Sequence, residues 1–228
     1  MINTYNKLRT SVTGVGTSYV DLNPIGAVSY SSSAEAYEVV SSSANDISTG
    51  TGIRRVTVIG IGAAFGEQIV QTVQMNGTTP VALPTNLLRA IKLEGIGWGS
   101  LGSAAGTVDV RRVSGGAVQR RIPIAQLIDH HTQFTVPGDS TSTTPSDAKL
   151  IIRRLVVGAS ALSRIQVAIR RVGASVFSPV NEFFIPIGTT SIDNVAVAVP
   201  YGADVSIQGR AETGTSNISV EVYTELKR

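Results

Sequence analysis

The spacing of apolar residues constrains this chain more than any other feature. They recur with period two in short runs, and no stretch keeps them at i, i+3, i+4 and i+7 for three helical turns. Period two sends successive side chains to opposite faces of a strand. In the run Asn217, Ile218, Ser219, Val220, Glu221, Val222, the apolar face meets a core and the polar face meets water or a neighbour. Such runs repeat with turn residues between them. EAYEVVS, IRRVTVIG, EQIVQTVQM, LLRAIKLEG, TVDVRRV and AVQRRIPI form one set; QFTV, KLIIRRLVVG, RIQVAIRRV, NEFFIPIG, NVAVAVP, DVSIQGRA and ISVEVYTEL form another. The expected fold is all-β, with one or two antiparallel β-sandwich modules of jelly-roll or immunoglobulin-like type and an extended N-terminal arm. The only helix candidates are short, Ser33–Val39 and Pro123–His130.

Residues 1–32 are rich in Gly, Ser, Thr, Asn and Tyr and show no clear period, so they read as an arm that gains order by docking onto something else. A first β-sandwich module is expected over 33–124 and a second over 125–228. The division falls near Ile124–His131, where IAQLIDHH follows AVQRRIPI. VPGDSTSTTPSD, residues 136–147, is the longest cluster of breakers and reads as a surface or partner-contact loop. The Gly-Thr-Thr segments at 77–79 and 188–190 both read as turns; two related modules and repeated use of one turn each account for them.

VTVIGIGAAFG (Val56–Gly66) approaches a dinucleotide-binding fingerprint. That loop works only where its glycines open a helix whose N-terminus holds the pyrophosphate. Here EQIVQTVQMNG follows, a β-branched alternating run closed by Asn-Gly. The third glycine is one residue late, and no acid lies between Glu67 and Glu94 to hold a ribose. Residues 54–60 and 67–75 are instead expected to pair antiparallel, and no cofactor is expected.

The chain has no cysteine, which excludes disulfides, thiol nucleophiles and cysteine-ligated zinc. Its only histidines are His130 and His131; neighbours on a strand point to opposite faces and do not readily share a metal. Asp129 beside them completes a DHH sequence, but no G-x-S-x-G elbow, H-E-x-x-H or calcium loop accompanies it. These residues read as polar groups at a module junction or subunit contact, and no enzyme activity is expected. The N-terminus lacks the apolar segment of a signal peptide, and no apolar run approaches the length of a membrane helix. The chain is therefore expected to be a soluble protein made in a cytoplasm without an export signal, with no membrane partner.

Five Arg-Arg pairs stand out: Arg54–Arg55, Arg111–Arg112, Arg120–Arg121, Arg153–Arg154 and Arg170–Arg171. Most sit inside apolar strands. A regular strand sends one guanidinium of each pair to each face, and a buried charge needs a partner. Arginine suits interface ion pairs and bidentate contacts, so all ten are candidate interface residues. Nucleic acid is the rival partner. The net charge is only +3, and the pairs are not interleaved with aromatics or set in a recognised binding motif, which favours protein.

Longer segments carry a resemblance. AYEVVSSSANDISTGTGIRRVTVIGI, GEQIVQTVQMNGTTPV, TNLLRAIKLEGIGWGSLGSAAGTVDVR and HHTQFTVPG occur in series, followed by RIQVAIRRVG and the segment from NEFFIPIG to VYTEL. Over about residues 34–228 this series resembles a family of tailed-phage virion structural proteins. The most specific pieces are SSSANDISTGTG, MNGTTPV with LLR after it, and GSLGSAAGT. Residues 1–33 and 139–147 depart from the family pattern. The resemblance implies a noncatalytic virion component, with two places open to it. One is a capsid decoration or cement protein on the capsid surface, a homo-oligomer, with a trimer favoured, bound to the major capsid protein or other virion proteins. The other is a neck, tail or head-fibre component, where Trp98 and Tyr201 are the aromatics available to stack on a host glycan.

Overall fold

A computed structural model gives the fold. It describes all residues except 1–3, 27, 29–30, 64–67, 132, 136–148, 172–173, 201 and 228. Among the described residues there are sixteen strands and no helix. The first two are Thr4–Val15 (β1) and Val20–Asp21 (β2). Then come Tyr37–Ser41 (β3), Ile53–Ile61 (β4), Gln68–Gln74 (β5), Val81–Ala82 (β6), Arg89–Trp98 (β7), Val108–Arg112 (β8) and Val118–Ile122 (β9). The last group is Gln133–Thr135 (β10), Lys149–Ala159 (β11), Ser163–Arg170 (β12), Ser178–Ile185 (β13), Gly188–Pro200 (β14), Asp204–Ala211 (β15) and Ser216–Lys227 (β16).

The chain forms two compact units, one of residues 1–27 with 131–228 and one of residues 28–130. In the first, one sheet has the order β1-β16-β11-β14 and the other β10-β15-β12-β13, with β2 also on β15. The pairing is nested. β1 pairs with β16, β2 and β10 with β15, β11 with β14, and β12 with β13, all antiparallel. Eight strand positions folded back on themselves in this way make a jelly roll. Ile152, Leu155 and Val157 of one sheet and Ile165, Val167, Val205 and Ile207 of the other share one buried core.

The jelly roll corrects the expectation for the N-terminal segment. β1 docks on β16 of its own chain, from Thr4 opposite Leu226 to Val15 opposite Ser216. Its side chains alternate: Thr10 and Val15 are buried, Leu8 and Val12 pack against the core, and Arg9, Ser11 and Thr13 are exposed. Residues 1–27 thus belong with 131–228 and do not stand apart as an arm.

The unit at 28–130 is inserted into one strand position of the jelly roll. β2 pairs with Gln208 and Gly209, and β10 pairs with Asp204–Ser206 on the same side of β15. Between them the chain leaves, forms the whole inserted unit and returns. That unit is a sandwich of sheets β6-β3-β8-β9 and β5-β4-β7 around Val39, Val56, Val58, Leu93, Val108, Val110 and Ile122.

Both helix candidates are corrected. Ser33–Val39 runs into β3, a central strand between β6 and β8. In Pro123–His130, Ala125 takes a positive φ of 62° in a turn closed by Gln126 N–H donating to the Pro123 carbonyl at 3.2 Å, and Ile128 then bridges Glu94 of β7. Of the two Gly-Thr-Thr segments, the first is a turn closed by Thr79 N–H donating to Asn76 O at 3.1 Å. The second is not: Thr189 and Thr190 lie within β14 and pair with β11. Residues 136–147 lie outside the described residues.

The antiparallel pairing expected of residues 54–60 and 67–75 is present over the described residues; residues 64–67 lie outside them. β4 and β5 pair antiparallel, from Arg55 opposite Gln74 to Ile61 opposite Gln68. Gly60 serves packing. A Cβ there would stand 2.6 Å from Leu87 Cδ1 and 2.7 Å from the Arg89 carbonyl oxygen, so only glycine lets that backbone approach.

Candidate functional site

The arginine pairs are accommodated by β-bulges. In β11 the inward residues are Leu150, Ile152, Leu155 and Val157, and the register with both neighbours shifts between Ile152 and Arg154. Against β16 one extra residue stands in β11, while against β14 the extra residues are in β14, and Arg153 and Arg154 both leave on the side away from the core. β4 repeats the device: Ile53 and Val56 are inward, and the register with β7 shifts on both sides of Arg55. The expectation of one guanidinium per face is therefore corrected at these two pairs.

Most of the guanidinium groups find partners within the chain. Arg153 pairs with Glu225 at 2.6 Å, and Arg154 with Asp193 at 3.1 Å while lying over Tyr223. Arg111 pairs with Glu38 at 2.7 Å and Arg112 with Glu35 at 2.5 Å. Arg121 grips Asp109 with two bonds of 2.6 Å, which raises the arginine pKa further. Arg170 donates to Asp204 at 2.6 Å and lies over Phe177. Arg54 donates to the Gly50 carbonyl at 2.9 Å. Arg55 and Arg171 are exposed.

Arg120 alone turns fully inward. It is buried, donates to the Gln119 carbonyl at 2.7 Å, and has its Nε 3.7 Å from Asp129 Oδ2. Asp129 thus faces a guanidinium. His130 is half-buried and His131 buried. Among the described residues no group of three or more His, Asp or Glu side chains is placed to hold a metal. No helix there is long and apolar enough to cross a membrane. Trp98, at the end of β7 opposite Ile53, is 47% exposed. Tyr201 lies outside the described residues.

Two clusters went unread in the sequence. In the first, the buried Asp46 carboxylate accepts four hydrogen bonds: Ser41 Oγ at 2.6 Å, Ile53 N at 2.7 Å, Ala105 N at 2.9 Å and Gly106 N at 3.0 Å. Gly77 N donates to the Asp46 carbonyl at 2.8 Å. SSSANDISTGTG, MNGTTPV and GSLGSAAGT, the most specific motif segments, are thus tied at one residue, the first and third through the Asp46 carboxylate and the second through its backbone carbonyl, and their role is to fix loops. A Cβ at Gly52 would stand 2.1 Å from Asp46 Oδ1, so glycine is required there.

The second cluster lies on the outward face of β12, β13 and β15. Arg164 pairs with Glu182 at 2.5 Å and Glu212 at 2.7 Å, and Arg210 reaches Glu212 at 3.1 Å. Arg164 lies over Phe184 and Arg210 over Tyr19. The Arg164 bond holds the Glu182 carboxyl below its ordinary pKa. Single arginines on two strands, Arg164 in β12 and Arg210 in β15, form no dipeptide in the sequence.

No family model and no curated protein matches the chain. Among solved structures, that of the infectious bursal disease virus Gx strain aligns with 99% of this chain and 77% of its own at 9% identity, with a TM-score of 0.23. The crystal structure of the infectious bursal disease virus VP2 subviral particle aligns with 99% and 76% at 12% identity, with a TM-score of 0.17. These weak neighbours come from virus particles. Similarity at this level carries no argument about the chain, whose fold rests on its own strand pairing.

Proposed function

We propose that this chain is a noncatalytic structural protein of a tailed-phage virion, and that it decorates the capsid as a cement protein. The observation that carries the reading is the nested eight-position jelly roll with a second sandwich inserted into it. Jelly rolls build viral capsid domains, and also lectins and cupins. Fold alone does not assign function; the choice among these follows the motif resemblance over residues 34–228. The paired charges along the strands suit a rigid building block. Modest contacts repeated over a closed lattice would supply the binding, in a homo-oligomer with a trimer favoured.

Copy number tests the reading. Quantitative mass spectrometry of purified virions should find hundreds of copies, and added protein should bind heads that lack it. About six or twelve copies, the number a ring at one vertex supplies, would overturn decoration.

The exposure of Trp98 favours a second reading: a neck, tail or head-fibre component that stacks a host glycan on the indole. Binding of the chain to a host-surface glycan, lost in Trp98→Ala, would support it. No binding to any glycan on an array would end it.

A further inference from the structure

β13 ends its sheet: among the described residues its one ladder partner is β12. Its other edge offers backbone N–H and C=O groups to an incoming strand. The same stretch carries Val176, Val180, Phe184 and Ile187, all exposed, with Phe184 at 53% and Val180 at 46%.

Sheet edges are commonly blunted by bulges, prolines or charge. β14 has such a bulge, where Asn194 and Ala196 take positive φ and the register with β11 shifts. β1 carries Arg9 and a shift between Val12 and Val15. In β13, Pro179 and the register shift at Val180 blunt only the first part. Asn181–Ile185 pairs regularly with β12 and contains no Lys or Arg.

The polar surroundings indicate what lies beside it. Arg164, Arg210, Glu182 and Glu212 form one ion-paired group of two positive and two negative charges. A strongly charged partner finds no complement there, whereas a second copy of the same apolar-flanked strand, whose one charge, Glu182, is already paired with Arg164, does. We propose that Asn181–Ile185 pairs antiparallel with the same segment of a second copy of this chain across a twofold axis, joining two sheets edge to edge. With the axis at Phe183, Glu182 of each copy lies opposite Phe184 of the other, so the carboxylates never face one another. This contact does not depend on the virion assignment.

Sedimentation of the full chain at micromolar concentration should show an even-numbered assembly, a dimer or, where the trimer proposed above also forms, a hexamer. The double variant Val180→Lys/Phe184→Asp should weaken the dimer at least about tenfold with an unchanged circular dichroism spectrum. Ala198→Lys, at the β14 edge, should leave the dimer intact. The proposal is overturned if the unaltered chain stays monomeric or trimeric, if the double variant associates as tightly as the unaltered chain, or if Ala198→Lys dissociates it equally. If the double variant loses its fold, Glu182→Cys/Phe184→Cys decides. The chain has no other cysteine, so disulfide-linked dimers support the pairing and monomers overturn it.

Discussion

Asp21 and Gln133 lie along one edge of one strand, opposite Gln208 and Ser206 of β15, although the whole inserted unit separates them in sequence. The jelly roll thus closes over the gap where the chain leaves. Replacing residues 28–130 with a short Gly/Ser linker should leave a jelly roll that unfolds cooperatively in urea, and residues 28–130 alone should do the same. A linker-bridged chain with no cooperative transition would contradict this division.

β1 is part of the jelly roll, with Leu8, Val12 and Val15 on its core. Deleting residues 1–16 uncovers those contacts and the edge of β16. The expected cost is about 4 kcal/mol or more, read as a lower urea midpoint and faster aggregation. An unchanged midpoint would restore the view of this segment as a free arm.

Asp46→Ala removes an acceptor shared by four buried or half-buried donors. The inserted unit should lose about 3 kcal/mol or more. Hydrogen exchange should show the amides of Ile53, Ala105 and Gly106 losing protection first. Uniform loss across the unit would argue against a local clamp.

Arg120→Met leaves the Asp129 carboxylate buried without its guanidinium and should destabilise by about 3–5 kcal/mol. Arg120→Met with Asp129→Leu should recover much of that, since removing both charges removes the desolvation penalty too. A double variant as unstable as the two losses added together would show no coupling between them.

Burial pushes the Tyr37 hydroxyl pKa up, against a smaller opposing pull from Arg112. The unfolded chain therefore ionises first. The contribution of Tyr37 to stability is complete below its ordinary value of about 10 and falls away as pH rises from there towards the folded value. Urea midpoints should drop in that window, and Tyr37→Phe should flatten the drop. Equal slopes in both proteins would rule Tyr37 out as the cause.

Strand identity was legible because period two survives wherever one face is buried, as at Ile218, Val220 and Val222. The sequence also showed that Gly60 opens no cofactor helix, since the residues after it alternate. β1 was missed, although Leu8, Thr10 and Val12 alternate with Arg9, Ser11 and Thr13, because two of its three inward residues are threonine and a small valine among polar neighbours. The Arg-Arg pairs were visible, but their bulges depend on register with strands far off in the chain. The Asp46 clamp was invisible for the same reason: its donors come from positions 41, 53, 105 and 106.

The insertion also has a mechanical side. Any tension passed from the inserted unit to the jelly roll travels through the two ladder pairs of β2 and the three of β10. These are short edge pairings, backed by Leu22, which is buried in the jelly-roll core and donates its N–H to the Ile207 carbonyl at 2.9 Å. The covalent joint is therefore anchored by a core residue as well as by backbone ladders: pulling β2 off its edge also draws Leu22 out of the jelly-roll core.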